Sequence, residues 1–260
     1  MINFLLKIPS IRKKVLHRIK YNYFNELNIS IPLKNNYWAD LMQTDSYDSF
    51  SEIFIHNEYE GFIPNIEIKS LIDLGAHHGF FSVWLQSSLK KVKLKTLLVE
   101  PSARCAPILT QLLQKKEYKG NFVYFNKCIG NPEEDEIQFF DRPHMASSNF
   151  KTDAGELAER VSVLTERDIS QWQNPPYDLL KCDIEGAEFL LLKHYSEVLL
   201  NTKFVILEWH DQKSANSLIN EFKNLNFSII KDSSLTQSVE SSNTQSGIFL
   251  ARNNNLFMNE

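Results

Sequence analysis

Cysteine is scarce in this chain: three residues in 260. Cys105, Cys128 and Cys182 lie far apart in apolar contexts. They spell neither a disulfide framework nor a zinc site, and read as buried small hydrophobes of a reducing compartment. Long apolar runs are missing as well, since none approaches the roughly 20 residues that span a bilayer. The first residues lack the apolar core and small-residue cleavage site of a signal peptide. Neither charge sign dominates. The formal net charge is -4, so the chain as a whole is not a nucleic-acid binder by electrostatics. No internal repeat is found. What remains is 43% apolar and 23% charged, ordinary for a globular cytoplasmic protein of one large domain plus an appendage.

The appendage is read as residues 1–66, the domain as 67–252 and a tail as 253–260. Met1 to Lys20 is basic and amphipathic, with no acid, and could lie peripherally on an anionic inner membrane face. The plainer reading, a helix packed on the domain with a solvated basic face, is preferred. Tyr21 to Tyr37 reads as irregular, and Ser49 to Tyr59 as helix or strand. Tyr47, Glu58 and Tyr59 are candidate contributors to a pocket.

The chain is organised around Lys69 to Glu100. Ser70 to Leu74 is an apolar run fit for a buried parallel strand. Gly75 to Gly79 is a tight turn, Phe80 to Leu85 opens an apolar helix, and Leu94 to Val99 is a second strand ending on Glu100-Pro101. Strand, glycine turn, helix and strand-ending acid are the parts of a nucleotide-cofactor site in a doubly wound α/β sheet. The dinucleotide fingerprint G-x-G-x-x-G is not met: from Gly75, its second glycine position holds His77 and its third Phe80. A bulky imidazole where pyrophosphate would sit argues against NAD or FAD. The spacing D-x-G-x-x-x-G is instead that of proteins binding S-adenosylmethionine (SAM), which has no phosphate.

Further βα units follow, the pattern of a parallel sheet. Strands are expected at Asn121 to Ile129, Glu136 to Phe140, Val161 to Leu164, Asp178 to Ile184 and Lys203 to Glu208. Helices are expected at Ser102 to Lys116, from Ala187 towards Leu200, and at Ser214 to Leu225. Phe227 to Ile230 and Gly247 to Ala251 suggest a closing antiparallel pair. Polar loops at Arg142 to Glu159, holding His144, and at Lys231 to Ser246 carry no motif. Asn174-Pro175-Pro176-Tyr177 spells an N-methyltransferase tetrapeptide, but it precedes its strand instead of following it, and reads as a plain turn.

Four blocks, Leu71–Ser82, Val99–Ser102, Phe125–Gly130 and Asp178–Leu192, followed by Val205–His210, resemble the FkbM-type SAM-dependent methyltransferases. The D-x-E-G-A-E block at Asp183 is the most specific. His77 and Ser102 stand where that family usually has Asn. The resemblance implies a class I methyltransferase fold: α/β, doubly wound, with a mostly parallel sheet of seven strands, the last antiparallel. It implies SAM as cofactor and O-methylation of a sugar, glycan or glycosylated small molecule. By the same analogy, Asp73 and the turn Gly75, Ala76, His77, His78 and Gly79, with Phe81 and Ser82, hold the methionine part. Glu100, with Pro101 and Ser102, holds the ribose. Cys128, Ile129 and Gly130 lie beside the adenine, and Asp183 faces cofactor and acceptor.

An attacking alcohol must lose its proton, so a base or a metal is expected. Asp183 and Glu185 end one strand, Glu208 and His210 the next, and each pair shares a face if the strand persists. His210 or Asp183 is the expected base. A divalent metal on Asp183, Glu208 and His210 is the other option. An NAD-dependent oxidoreductase and a non-catalytic partner subunit of the same fold are the competing readings.

Overall fold

The computed structural model describes residues 29–41, 46–89, 92–142, 158–210, 212–233 and 246–257. The expected basic helix at 1–20, the loop with His144 and most of the loop from Lys231 to Ser246 lie outside these residues.

The chain enters with a hairpin, β1 (Ile29–Pro32) against β2 (Trp38–Leu41). This corrects the irregular reading of that stretch. Asn35 and Asn36 make the reversal at φ 54° and 63°, a left-handed conformation that asparagine tolerates better than most residues. Ile31, Pro32, Ala39 and Leu41 are buried in the hairpin. Helix α1 (Ser46–Phe50) then continues into a π-helical turn, Ser51–His56.

The core strands are β3 (Ser70–Leu74), β4 (Lys95–Val99) and β5 (Phe122–Phe125), with β6 (Glu136–Phe139) and β7 (Glu159–Ser162) as a separate antiparallel pair. They continue as β8 (Tyr177–Cys182), β9 (Thr202–Trp209), β10 (Phe227–Asp232) and β11 (Gly247–Asn253). The central sheet has seven strands in the order β10-β11-β9-β8-β3-β4-β5. Only β11 runs against its neighbours. This is the expected α/β class and sheet.

Every residue of β3 and β8 is buried, which is why both read as continuous apolar runs. Alternate side chains feed two different cores. Leu71, Leu98, Leu179 and Ile206 pack on one face with α2 (Phe80–Ser88), α3 (Ala106–Gln114) and the entering segment. Ile72, Leu97, Leu180 and Val205 pack on the other. That face is covered by α4 (Glu166–Trp172), α5 (Glu188–His194), α6 (Ser196–Leu200) and α7 (Gln212–Asn224). Phe50 of the entering segment meets Phe80 of α2 edge-on at 5.7 Å.

Some boundaries differ from expectation. The run expected as one helix from Ala187 to Leu200 is two, broken at Tyr195, whose hydroxyl donates to the Leu164 carbonyl at 2.6 Å. The third strand stops at Phe125. Cys128 forms an isolated parallel bridge to Val163, so the 121–129 segment leaves the main sheet for the β6–β7 pair. Asp168 makes a capping box with Thr165 at the start of α4 and pairs with Lys127 at 2.7 Å. Packing continues past the expected boundary at 252: β11 runs to Asn253, and Phe257 lies 5.5 Å from Phe204, ring to ring.

Candidate active site

The carboxyl ends of β3, β4 and β8 open onto one cleft, with about 910 Å³ of space counting the part open to solvent. Ligands of open α/β sheets sit at this end of the strands. Gly75 (φ 71°) is the hinge of the cleft. A Cβ there would come within 1.7 Å of the Asp183 carbonyl oxygen, so no other residue fits. The Asp183 amide donates to the Leu74 carbonyl at 3.1 Å. The ends of β3 and β8 therefore touch backbone to backbone, and the Asn174–Tyr177 tetrapeptide stands at the opposite end of β8.

One half of the cleft belongs to the turn and to Glu100. Gly75, Ala76, His77, Phe81, Glu100, Pro101, Ser102, Cys128 and Ile129 all line it. Asp73, His78, Gly79, Ser82 and Gly130 sit behind the wall. Asp73 is fully buried and accepts from the Ser82 hydroxyl at 2.6 Å. Gly79 (φ 75°) packs on Leu109 and Leu112. His78 turns to a small pocket on the far side, beside Trp38 and Phe80. The two imidazoles meet at a tilt, with centroids 3.9 Å apart. His77 adopts φ 48°, and burial, then the neighbouring His78, lower its pKa well below the ordinary value. It stands in the wall as a neutral ring. Glu100 is 6% exposed. One of its oxygens accepts from the His77 amide at 2.8 Å, the other from the Ser102 amide at 2.9 Å. Burial pushes its carboxyl up to about 7, against those two hydrogen bonds. Each oxygen keeps a lone pair for a hydroxyl.

The other half is acidic. β8 ends at Cys182, and Glu185 takes φ 51°. The strand does not persist, so the expected alternation fails, yet the predicted groups still meet. His210 Nε2 lies 3.4 Å from Asp183, 3.5 Å from Glu185 and 4.0 Å from Glu208, and its Nδ1 lies 3.1 Å from Glu188. Burial would lower the His210 pKa, but hydrogen bonds to Asp183 and Glu188 raise it to about 11. His210 is thus a cation here, not a ready base. Burial would raise Asp183, but Lys181 and His210 hold it well below the carboxylate range. Burial and the Asp183 charge raise Glu185 to about 8 and Glu208 to about 7. Of these groups, Asp183 and Glu185 line the cleft, together with Glu52 and Tyr59. The Tyr59 hydroxyl donates to Glu208 at 2.7 Å.

Among the described residues, two sets bring metal-ligating atoms within 4.8 Å of one another: Asp183, Glu185 and His210, and His77, His78 and Cys105. In the first set Glu185 takes the place expected for Glu208. A proton on His210 competes with any ion there. The three cysteines are free and buried.

Sequence reading missed Lys181, Arg104, Lys127 and Glu52, all lining the cleft. Lys181 had a signal: a lone charge inside an apolar strand demands partners. Glu52 had none, because its place depends on the π-helical turn.

No family model matches the chain. No curated protein does either. Solved structures align with the chain only at low scores. A protein named as an rRNA methylase from Clostridium thermocellum aligns at TM-score 0.48 and 7% identity, over 76% of this chain and 92% of that one. Precorrin-6y C5,15-methyltransferase from Geobacter metallireducens aligns at 0.44 and 8%, over 76% and 86%. TrmK of M. capricolum, in complex with S-adenosyl-homocysteine (SAH), aligns at 0.44 and 11%, over 76% and 67%. At such scores these likenesses assign no chemistry to this chain. Among the described residues, no helix is long and apolar enough to cross a membrane.

Proposed function

We propose that the protein is a SAM-dependent O-methyltransferase of the FkbM type, acting in the cytoplasm on a sugar, glycan or glycosylated small molecule. The observation that carries this reading is the polarity of one cleft. A backbone-held carboxylate, Glu100, stands at one end, and a carboxylate–histidine cluster around Asp183 stands at the other, with Gly75 between. The residues suit the cofactor. Glu100 offers acceptor lone pairs to two ribose hydroxyls, and the bulky neutral His77 leaves no phosphate cradle. The carboxylates near Asp183 favour a cationic sulfonium.

When bound, SAM supplies an activated methyl group and leaves as a neutral thioether. The chain's own residues have to align the acceptor oxygen and remove its proton. Glu185 lines the cleft 3.5 Å from His210; burial raises its carboxyl to about 8, as it does that of Glu52, and its place beside the Asp183–His210 pair assigns it the proton. Asp183, which lines the cleft with His210 against its Oδ1, holds the acceptor hydroxyl. Isothermal titration with SAH, SAM and NAD tests the cofactor, and transfer of labelled methyl to a panel of hydroxylated glycans tests the acceptor. Tight NAD binding with no SAM or SAH binding would overturn the reading.

A further inference from the structure

Lys181 is a lysine one residue from the carboxyl end of the buried strand β8, with its side chain 5% exposed. In the sheet register it lies beside Asp73 of β3 and Ile206 of β9. Its ammonium donates to the Gly75 carbonyl at 3.0 Å and to Asp183 Oδ2 at 3.0 Å, and lies 3.8 Å from Asp73 Oδ1. Two ammonium hydrogens thus have directed oxygen partners, and Asp73 Oδ1, which has no hydrogen-bond partner, is held by charge alone. The other Asp183 oxygen, Oδ1, is the one facing His210.

We infer that Lys181 is a positioning residue that fixes the cofactor turn and the acceptor-side carboxylate to each other. Two features of its surroundings support this. First, its partners are a backbone carbonyl of the turn and a side chain of the acceptor cluster, so one ammonium spans both halves of the cleft. Second, it decides which Asp183 oxygen is free, because it holds Oδ2 and leaves Oδ1 towards His210. A lysine serving only to neutralise Asp73 would need neither contact. Asp73 has the Ser82 hydroxyl on its other oxygen, so the buried acid is shared between a neutral donor and the ammonium. The coupling of the two halves rests on the methyltransferase reading; the hold on Asp183 does not.

The test compares wild type with Lys181→Met and Lys181→Arg in the full chain. Carbon-13 NMR follows the Asp183 carboxyl through a pH titration, and calorimetry follows SAH. In Lys181→Met, the Asp183 titration is expected to rise by at least about one pKa unit, the usual effect of losing an adjacent cation. SAH affinity is expected to fall about tenfold or more, the scale for one charged hydrogen bond. Lys181→Arg is expected to keep Asp183 low and recover part of the SAH affinity. An Asp183 titration and SAH affinity unchanged in a folded Lys181→Met protein would overturn the proposal. If Lys181→Met fails to fold, Lys181→Met with Asp73→Asn removes the orphaned buried acid, and the same two readings decide. If wild type binds neither SAM nor SAH while the Asp183 shift appears, the cofactor reading fails and the hold on Asp183 stands.

Discussion

The two halves of the cleft are built on opposite principles. At the Glu100 end, one carboxylate is held by two backbone amides, beside a neutral histidine and a glycine turn. Geometry there is set by main chain, which cannot rearrange without moving β3 and β4. At the Asp183 end, the carboxylates of Asp183, Glu185, Glu188 and Glu208 crowd around His210, with Lys181 behind. Geometry there is set by charge, and it changes with every proton gained or lost. A cofactor that is the same at every turnover suits the first arrangement. An acceptor that must give up a proton suits the second.

Breaking the hinge should damage both halves. Gly75→Ala places a methyl against the Asp183 carbonyl at a left-handed φ, and should cost about 3 kcal/mol or more in denaturant unfolding. A wild-type midpoint would mean the strand ends are not in contact. The next largest effect should separate the halves. Glu185→Gln is expected to lower methyl transfer by about 10²- to 10⁴-fold, the usual worth of a general base, with SAH affinity nearly unchanged. A parallel loss of SAH affinity would show that the halves are not separate.

Glu100→Gln should do the converse. SAH affinity should fall about 10- to 100-fold, the scale of a hydrogen bond to a charged group. The same residue predicts a pH dependence. Its carboxyl, raised to about 7 by burial, accepts from two hydroxyls only when ionised. SAH affinity should therefore rise as pH climbs through about 7 and flatten above it, and the dependence should vanish in Glu100→Gln. The smallest expected effect concerns metal. Because His210 holds its proton up to about 11, Mn²⁺ should bind weakly near neutral pH and more tightly as pH rises, by paramagnetic relaxation of water. Tight binding at neutral pH would make the acceptor half a metal site.

The same contrast governs what could be read from sequence. β3, β4 and β8 were legible because strands buried on both faces are continuous apolar runs ending at a glycine or an acid. Glu100 and Asp183 followed from being those ends. The hairpin at 29–41 was not legible: its short strands carry few buried apolar residues, and aromatic and polar neighbours hide them. The β6–β7 pairing joins residues across the long connection between Phe139 and Glu159, which no local pattern encodes. His210 was expected beside Asp183, and the structure brings the two within 3.4 Å; the expectation that His210 or Asp183 is the base did not count the carboxylates around the ring. A histidine's protonation is set by how many carboxylates surround it, and Glu188 arrives from a helix that sequence could not orient.

The hydrogen bond from Tyr59 to Glu208 spans 149 positions of chain. Closing so long a loop costs entropy that only a formed sheet can offset. The wall that Tyr59 supplies must therefore settle after β9 has joined β8, and it is the part most easily shed. Hydrogen exchange should find the segment before β3 opening more often than the strands beneath it. Each such opening would admit water to the acidic end, where Tyr59 meets Glu208, and would also lift Tyr59 off Phe81.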